Sequence, residues 1–194
     1  MTLKLITAPA TEPVTSSEAK SHLRVDTTAD DTLIGTLITA ARQHVENHLR
    51  RALITQTWEL VMDAFPAGDV IRLPRPPLVS VTSIKYTDVA GSESTFSSAA
   101  YVVDTDSTKG RVVLKSGESW PSDTLAAANG VRVRYVAGYG SAAAVPNPIR
   151  QAVLLLIGTL YENRESVLVA QGVTVAQLPF GVEALLMPYR IFGW

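Results

Sequence analysis

Apolar residues recur at helical spacing near the start of the chain. From Leu33 to Leu49 they fall at every third or fourth position, which places them on one stripe of an amphipathic helix. Ahead of this stripe, "TSSE" has the pattern of a capping box, in which Thr15 and Glu18 satisfy each other's backbone amides. The pattern predicts a short helix after Thr15 and a longer helix that ends at Arg50 and Arg51.

The middle of the chain alternates between apolar and polar residues instead. β-Branched and aromatic residues dominate "TQTWELVMD", "LVSVTSIKYTD", "GRVVLKSG" and "VRVRYVAGY", and turn-forming residues separate these segments. Short strands joined by such turns are typical of antiparallel sheets. Within the last segment, Arg132 and Arg134 alternate with apolar residues, so they are expected to share one face of a strand.

Helical spacing returns near the C-terminus. The segment "VPNPIRQAVLLLIGTLYENRES" places Asn147 where a helix cap is expected and Pro148 at the first helical position. A second segment, "PFGVEALLMPYRIFGW", predicts a short helix that ends near Pro188.

These patterns predict an α+β fold, in which N- and C-terminal helices pack together around an inserted antiparallel β module, a small sheet or sandwich. The expected limits are residues 1–53 and 146–194 for the helical core and 54–145 for the β module. Within the module, Pro74, Pro76 and Pro77 fix their own φ angles and remove backbone donors, which predicts a stiff start to a strand.

Composition narrows the possible functions. With 46% hydrophobic and 18% charged residues the chain is expected to fold. A formal net charge of −1 argues against a dedicated nucleic-acid binder, and the absence of cysteine excludes disulfides and thiolate metal sites. Lys4 and Pro9 interrupt the first apolar residues, so neither a signal peptide nor a membrane anchor is expected, and the protein should be soluble and made in the cytosol.

The chain offers little catalytic chemistry. His44 and His48 have the spacing of half a metal site, but Val45 stands where the zinc-protease pattern requires glutamate. The segment Asp104–Gly110, "DTDSTKG", lacks ligands of a calcium loop and is better explained as a hairpin turn with side-chain to backbone bonds. We therefore expect no catalytic, cofactor-binding or metal site, with a zinc enzyme using both histidines as an alternative.

Two groups of residues are candidates for protein contacts. Ile191, Phe192 and Trp194 lie beyond the end of the last predicted helix, so they either fold back onto the core or dock on another chain. Arg132 and Arg134 belong to a solvated sheet face or meet an acidic partner or nucleic acid.

The ordered series of motifs resembles the head–tail connector (adaptor) proteins of long-tailed bacteriophages and prophages. The resemblance rests above all on "LPRPPLVSVTSIKY" and "LPFGVEALLMPYR", together with "VTSSEAKSHLRVD", "VRVRYVAGYG" and "VPNPIRQAVLLLIGTLYENRE" in the same order. It extends from about Val14 to Arg190, nearly the whole chain.

This resemblance implies a non-enzymatic, structural role. It implies a ring of about twelve copies beneath the portal protein, which extends the DNA channel and offers a docking surface to a neck or tail-completion protein. DNA would pass without sequence-specific binding, and the subunit would be monomeric until it meets the portal. The implied location is the virion neck, after assembly in the host bacterial cytoplasm.

Two other functions stay open at the level of sequence. Within the same class, the chain could be a neck stopper or tail-completion protein. From another class, it could be a β-module protein that binds carbohydrate through sheet aromatics, namely Tyr86, Tyr101, Tyr135 and Tyr139.

Overall fold

The computed structural model describes residues 1–163 and 180–193, which form four α-helices and eight β-strands. The helices are α1 (Ser16–Leu23), α2 (Asp31–Leu49), α3 (Asn147–Glu162) and α4 (Phe180–Leu186). The strands are β1 (Thr2–Thr7), β2 (Gln56–Met62), β3 (Val70–Arg72), β4 (Leu78–Thr87), β5 (Glu93–Thr95), β6 (Tyr101–Asp104), β7 (Arg111–Leu114) and β8 (Val131–Ala137). None of the helices in this described part is both long and apolar enough to span a lipid bilayer.

The predicted α+β class is confirmed. The chain divides into a strand unit, Met1–Ala10 with Thr55–Tyr139, and a helical unit, Thr11–Ile54 with Gly140–Trp194. The strand unit contains two antiparallel sheets, a five-stranded sheet in the order β1-β2-β8-β4-β5 and a three-stranded sheet in the order β3-β7-β6.

The start of the chain differs from the expected helical limit of residues 1–53. Thr2–Thr7 form a strand at the edge of the five-stranded sheet, where Leu3 pairs with Leu60 and Leu5 with Trp58. The run "TLKLIT" alternates and is rich in β-branched residues, but its partner strand lies far along the chain. Local pattern alone therefore did not reveal the pairing.

Local capping explains where α1 begins and where α1 and α2 end. The Oγ1 atom of Thr15 accepts a hydrogen bond from the Glu18 amide at 3.1 Å, and the Glu18 carboxylate accepts one from the Thr15 amide at 2.7 Å, which confirms the predicted capping box. Both helices end at an arginine in the left-handed conformation, Arg24 with φ of 56° and Arg50 with φ of 57°.

The cap of α3 differs from the prediction by one residue. Pro146, rather than Asn147, precedes the helix, because its carbonyl accepts the first helical bonds from Ile149 at 3.0 Å and Arg150 at 3.2 Å. Asn147 is the first helical residue, and no side chain caps this end.

The apolar stripes of α2, α3 and α4 form the core of the helical unit. The described apolar residues of these three helices that are at most 2% exposed are Ile34, Ile38, Ala41, Val45, Leu49, Ile149, Ala152, Val153, Ile157, Val182 and Leu186. Two charged side chains of α2, Arg42 and Glu46, lie among them, each 5% exposed. Arg42 donates to Glu12 and to Glu46, each at 2.7 Å, and Glu46 also accepts the amide of Leu53 at 2.9 Å. The buried guanidinium is therefore matched by two carboxylates.

Alternation along the strands sets the two faces of the five-stranded sheet. Leu60, Val133 and Ile84 are neighbours across β2, β8 and β4, and each is at most 1% exposed. One residue away, Glu59 and Arg134 are cross-strand partners on the opposite face. The sheet therefore has one apolar face and one charged face.

The segment before β4 lies along the end of β8. The hydroxyl of Tyr135 donates to the Pro74 carbonyl at 2.8 Å, and the Gly138 amide donates to the Pro77 carbonyl at 2.9 Å. The Arg75 guanidinium lies 5.4 Å from the centre of the Trp58 ring. Side-chain and backbone contacts thus fix this proline-rich segment within the strand unit.

Candidate functional site

The last described residues are attached to the end of α2. The amide of Ile191 donates to the Leu49 carbonyl at 3.1 Å, and the Nε of Arg51 donates to the Tyr189 carbonyl at 2.6 Å. The Ile191 side chain is only 5% exposed. This part of the C-terminal segment therefore packs within its own helical unit.

Phe192 has a different environment from its neighbour. Its side chain is 64% exposed, and the Arg190 guanidinium lies 5.2 Å from the centre of its ring. Met187, in the 3₁₀ turn after α4, is also exposed. The candidate group thus contains one buried and one exposed apolar side chain, whereas Trp194 lies outside the described residues.

Arg132 and Arg134 meet a carboxylate of their own chain. The Nη1 of Arg132 donates to Oε1 of Glu59 at 3.2 Å, and the Nη2 of Arg134 donates to Oε2 at 2.8 Å. The Glu59 side chain is 8% exposed, while those of Arg132 and Arg134 are 36% and 44% exposed. One buried carboxylate therefore anchors two arginines that still reach solvent.

The arginines keep Glu59 ionised. Burial raises the pKa of the Glu59 carboxyl, but the hydrogen bonds and charges of Arg134 and Arg132 together outweigh burial and leave the pKa below its usual value. Glu59 thus carries a full negative charge at neutral pH and holds the two cations on the charged face.

The other candidate sites have structural explanations. His44 is exposed, His48 is half-buried with a pKa lowered mainly by burial, and the described residues contain no cluster of three or more metal-ligating side chains. Asp104 accepts the amides of Asp106 and Ser107 at 3.1 Å each, which confirms that "DTDSTKG" forms a hairpin turn.

The aromatic residues considered for carbohydrate binding do not form an exposed platform. Tyr135 is fully buried and Tyr101 is 7% exposed, while Tyr86 is half-buried with its edge against Phe65. Tyr139 is also half-buried. Stacking on a sugar requires an accessible ring face, so this arrangement does not favour the carbohydrate hypothesis.

Sequence reasoning missed the partners of the two arginines. In the sequence, Glu59 stands between the apolar residues Trp58 and Leu60, which predicts that it lies on the opposite face of the strand. The pairing itself depends on the register between β2 and β8, and on the register that places Lys85 opposite Arg132. Registers between distant strands leave no local trace in the sequence.

The family of the chain is shown by its sequence. A family model described as head completion protein matches residues 13–192. The chain belongs to the head completion protein family. No curated protein matches the chain significantly.

Chains in three solved particle structures are similar to this head completion protein over its whole length. A chain of the "Neck of empty GTA particle computed with C6 symmetry" is 30% identical with a TM-score of 0.82. A chain of the "Virion of native gene transfer agent (GTA) particle" is 29% identical with a TM-score of 0.80. A chain of the "Neck of native GTA particle computed with C12 symmetry" is 26% identical with a TM-score of 0.76. Each match covers 100% of this chain and 97% of the other chain.

Proposed function

We propose that this protein is a structural subunit of the neck of a phage or phage-like particle, where it connects head and tail. The observation that carries the proposal is the match to a chain of a GTA neck, which is 30% identical and covers 97% of that chain. Similarity over the full length of both chains supports a shared structural role rather than a single shared motif.

The subunit acts in a ring. Two of the similar neck structures were computed with C6 and C12 symmetry, which supports a cyclic assembly of about twelve copies. The ring docks on a portal protein, extends the DNA channel and offers its other side to a neck or tail-completion protein. A net charge of −1 suits a channel wall, because a strongly basic wall would retain DNA phosphates.

The proposed role is structural rather than enzymatic, which is supported by the description of the matching family as head completion protein. Within the described residues, the histidines, the Asp104 turn and the paired arginines each have a structural partner or lack a metal-binding geometry. The side chains best placed for a functional role are instead those exposed for contact with another protein. Phe192 is the strongest of these on the helical unit, since an exposed aromatic ring gains most from burial against a neighbour.

Electron microscopy of the purified protein mixed with its portal tests this role. We expect rings on the portal for the wild-type protein and for a Val89→Ser control, which alters another exposed apolar residue, 70% exposed, in the strand unit. The Phe192→Ser variant should form far fewer rings while the free protein unfolds at an unchanged urea concentration.

The outcomes test the neck function and the contact through Phe192 independently. Failure of the wild-type protein to decorate the portal, or any other neck component, would contradict the neck function. Normal decoration by Phe192→Ser would leave the neck function intact and exclude Phe192 as a contact.

A further inference from the structure

The charged face of the five-stranded sheet brings like charges side by side. Lys85 on β4 and Arg132 on β8 are direct cross-strand partners, and Arg134 lies two residues further along the same face. Like charges directly opposite each other destabilise a sheet. Negative charge nearby is therefore needed to offset the repulsion between Lys85 and Arg132.

Two carboxylates of the chain supply part of that charge. Glu59 lies beneath the arginines, and Glu93 on β5 accepts a hydrogen bond from Lys85 Nζ at 2.6 Å. The two pairs differ in solvent access. Glu59 is 8% exposed, whereas Lys85 and Glu93 are 43% and 47% exposed. Solvent therefore screens the ion pair between Lys85 and Glu93, and another carboxylate can readily replace Glu93.

Arg132 keeps hydrogen-bonding capacity toward solvent. A guanidinium has five N–H donors, and the bond to Glu59 engages one of them. That bond, at 3.2 Å, is longer than the 2.8 Å bond from Arg134. Arg132 is thus the more weakly held of the two arginines, and it stands directly beside Lys85.

These groups surround a concave site rather than a flat patch. A cavity of about 350 Å³ is lined by the three cations, by Glu59 and Glu93, and by the hydroxyl-bearing residues Ser83 and Thr87. Its cations outnumber its carboxylates, and its hydroxyls add further donors. The cavity is large enough for a carboxylate-bearing side chain.

We propose that Arg132 and Lys85 form a binding site for an acidic side chain presented by a segment of a partner protein. The incoming carboxylate takes donors from Arg132 and displaces Glu93 from Lys85, which relieves the repulsion between the two cations. This site lies within a single chain and goes beyond the proposed function, so it can be tested without ring or portal.

A protein carboxylate suits this cavity better than a DNA backbone. Duplex DNA carries closely spaced phosphates and binds where cations follow a track. Here Lys85, Arg132 and Arg134 surround one cavity, and Glu59 and Glu93, which also line it, would repel the neighbouring phosphates. A single inserted carboxylate avoids most of that repulsion.

Titration of the full-length protein with an oligoglutamate peptide at low salt tests the site, with an oligoglutamine peptide of equal length as probe control. We expect Arg132→Gln and Lys85→Gln each to weaken oligoglutamate binding about three- to fivefold, the effect of one partly exposed ion pair. Arg72→Gln, which alters an exposed arginine on β3 in the other sheet, should leave binding unchanged.

Two-dimensional NMR of the arginine Nε–Hε groups and urea unfolding complete the experiment. The Arg132 signal should shift on adding oligoglutamate. Lys85→Gln and Arg72→Gln should unfold as the wild type does, and Arg132→Gln should be fully folded before urea is added. Absent binding, equal loss in Arg72→Gln, or equal binding of oligoglutamine would overturn the proposal. So would tighter, Arg132-dependent binding of duplex DNA, which would make the site a nucleic-acid contact.

Discussion

At the scale of single residues, Glu59 shows how one buried charge organises a surface. Its carboxylate accepts hydrogen bonds from both Arg132 and Arg134, and its pKa is lowered although burial alone would raise it. The arginines are therefore placed by an internal partner and not by solvent alone. Their exposed ends remain available for contact with another molecule.

Replacing Glu59 by glutamine removes this charge and keeps the side-chain shape. We expect the free energy of unfolding to fall by about 1 kcal/mol at neutral pH, because solvent screens the exposed arginines. A lowered folded-state pKa means that the carboxylate stabilises the protein above the usual value of 4.5, and that this stabilisation is lost as the pH falls through the folded-state pKa. The free energies of unfolding of the wild type and of Glu59→Gln, measured in urea, should therefore converge at acidic pH.

The matched control is Glu93→Gln, which removes an exposed carboxylate from the same face. Its effect on the free energy of unfolding should stay below about 0.5 kcal/mol. A difference between wild type and Glu59→Gln that stays constant from neutral pH into acid would contradict the proposed role of the ionised carboxylate.

Gly110 illustrates a requirement for close approach. Gly110 directly precedes β7, and a Cβ atom built there would lie 2.2 Å from Cβ of Leu78, the first residue of β4. The Gly110→Ala variant should lose about 1–3 kcal/mol of stability in urea unfolding, the usual cost of overpacking. Gly68→Ala, whose added Cβ would meet nothing within 4 Å, serves as control. Equal stability of the two variants would show that Leu78 moves aside freely.

At the scale of elements, the sequence predicted what depends on neighbours along the chain. The capping box at Thr15, the stripe of α2 and the alternation along β8 follow from spacing alone, and the structure confirms them. Strand β1 was missed because its partner, β2, lies far away in sequence. The site was predicted in part: shared placement of Arg132 and Arg134 followed from alternation, but their pairing with Glu59 required the sheet register.

The capping box offers a test at this scale. Thr15→Ala removes the acceptor for the Glu18 amide and should cost about 1 kcal/mol in urea unfolding. Thr36→Ala is a suitable control, because Thr36 is exposed within α2 and its hydroxyl bonds only the Thr32 carbonyl. That change should be neutral or slightly stabilising, since alanine has the higher helix propensity. Equal losses in both variants would argue against a capping contribution.

At the scale of the whole molecule, charge is balanced instead of concentrated. Seventeen basic and 18 acidic side chains give a formal net charge of −1, and the basic groups of the charged face are accompanied by Glu59 and Glu93. In the proposed function, the subunit lines a channel through which DNA moves. Carboxylates beside the cations of the charged face lower the affinity of this face for phosphates without removing the cations.

This balance predicts that DNA affinity is limited by the carboxylates of one face. The Glu59→Gln/Glu93→Gln double variant should bind duplex DNA about tenfold more tightly than wild type at low salt, by fluorescence anisotropy, and the gain should shrink at physiological salt. Glu118→Gln/Asp123→Asn removes the same charge from two exposed positions outside the cavity, so its gain should be much smaller. Equal gains would mean that only net charge matters. Tight binding by the wild type at physiological salt would contradict a channel wall that lets DNA slide.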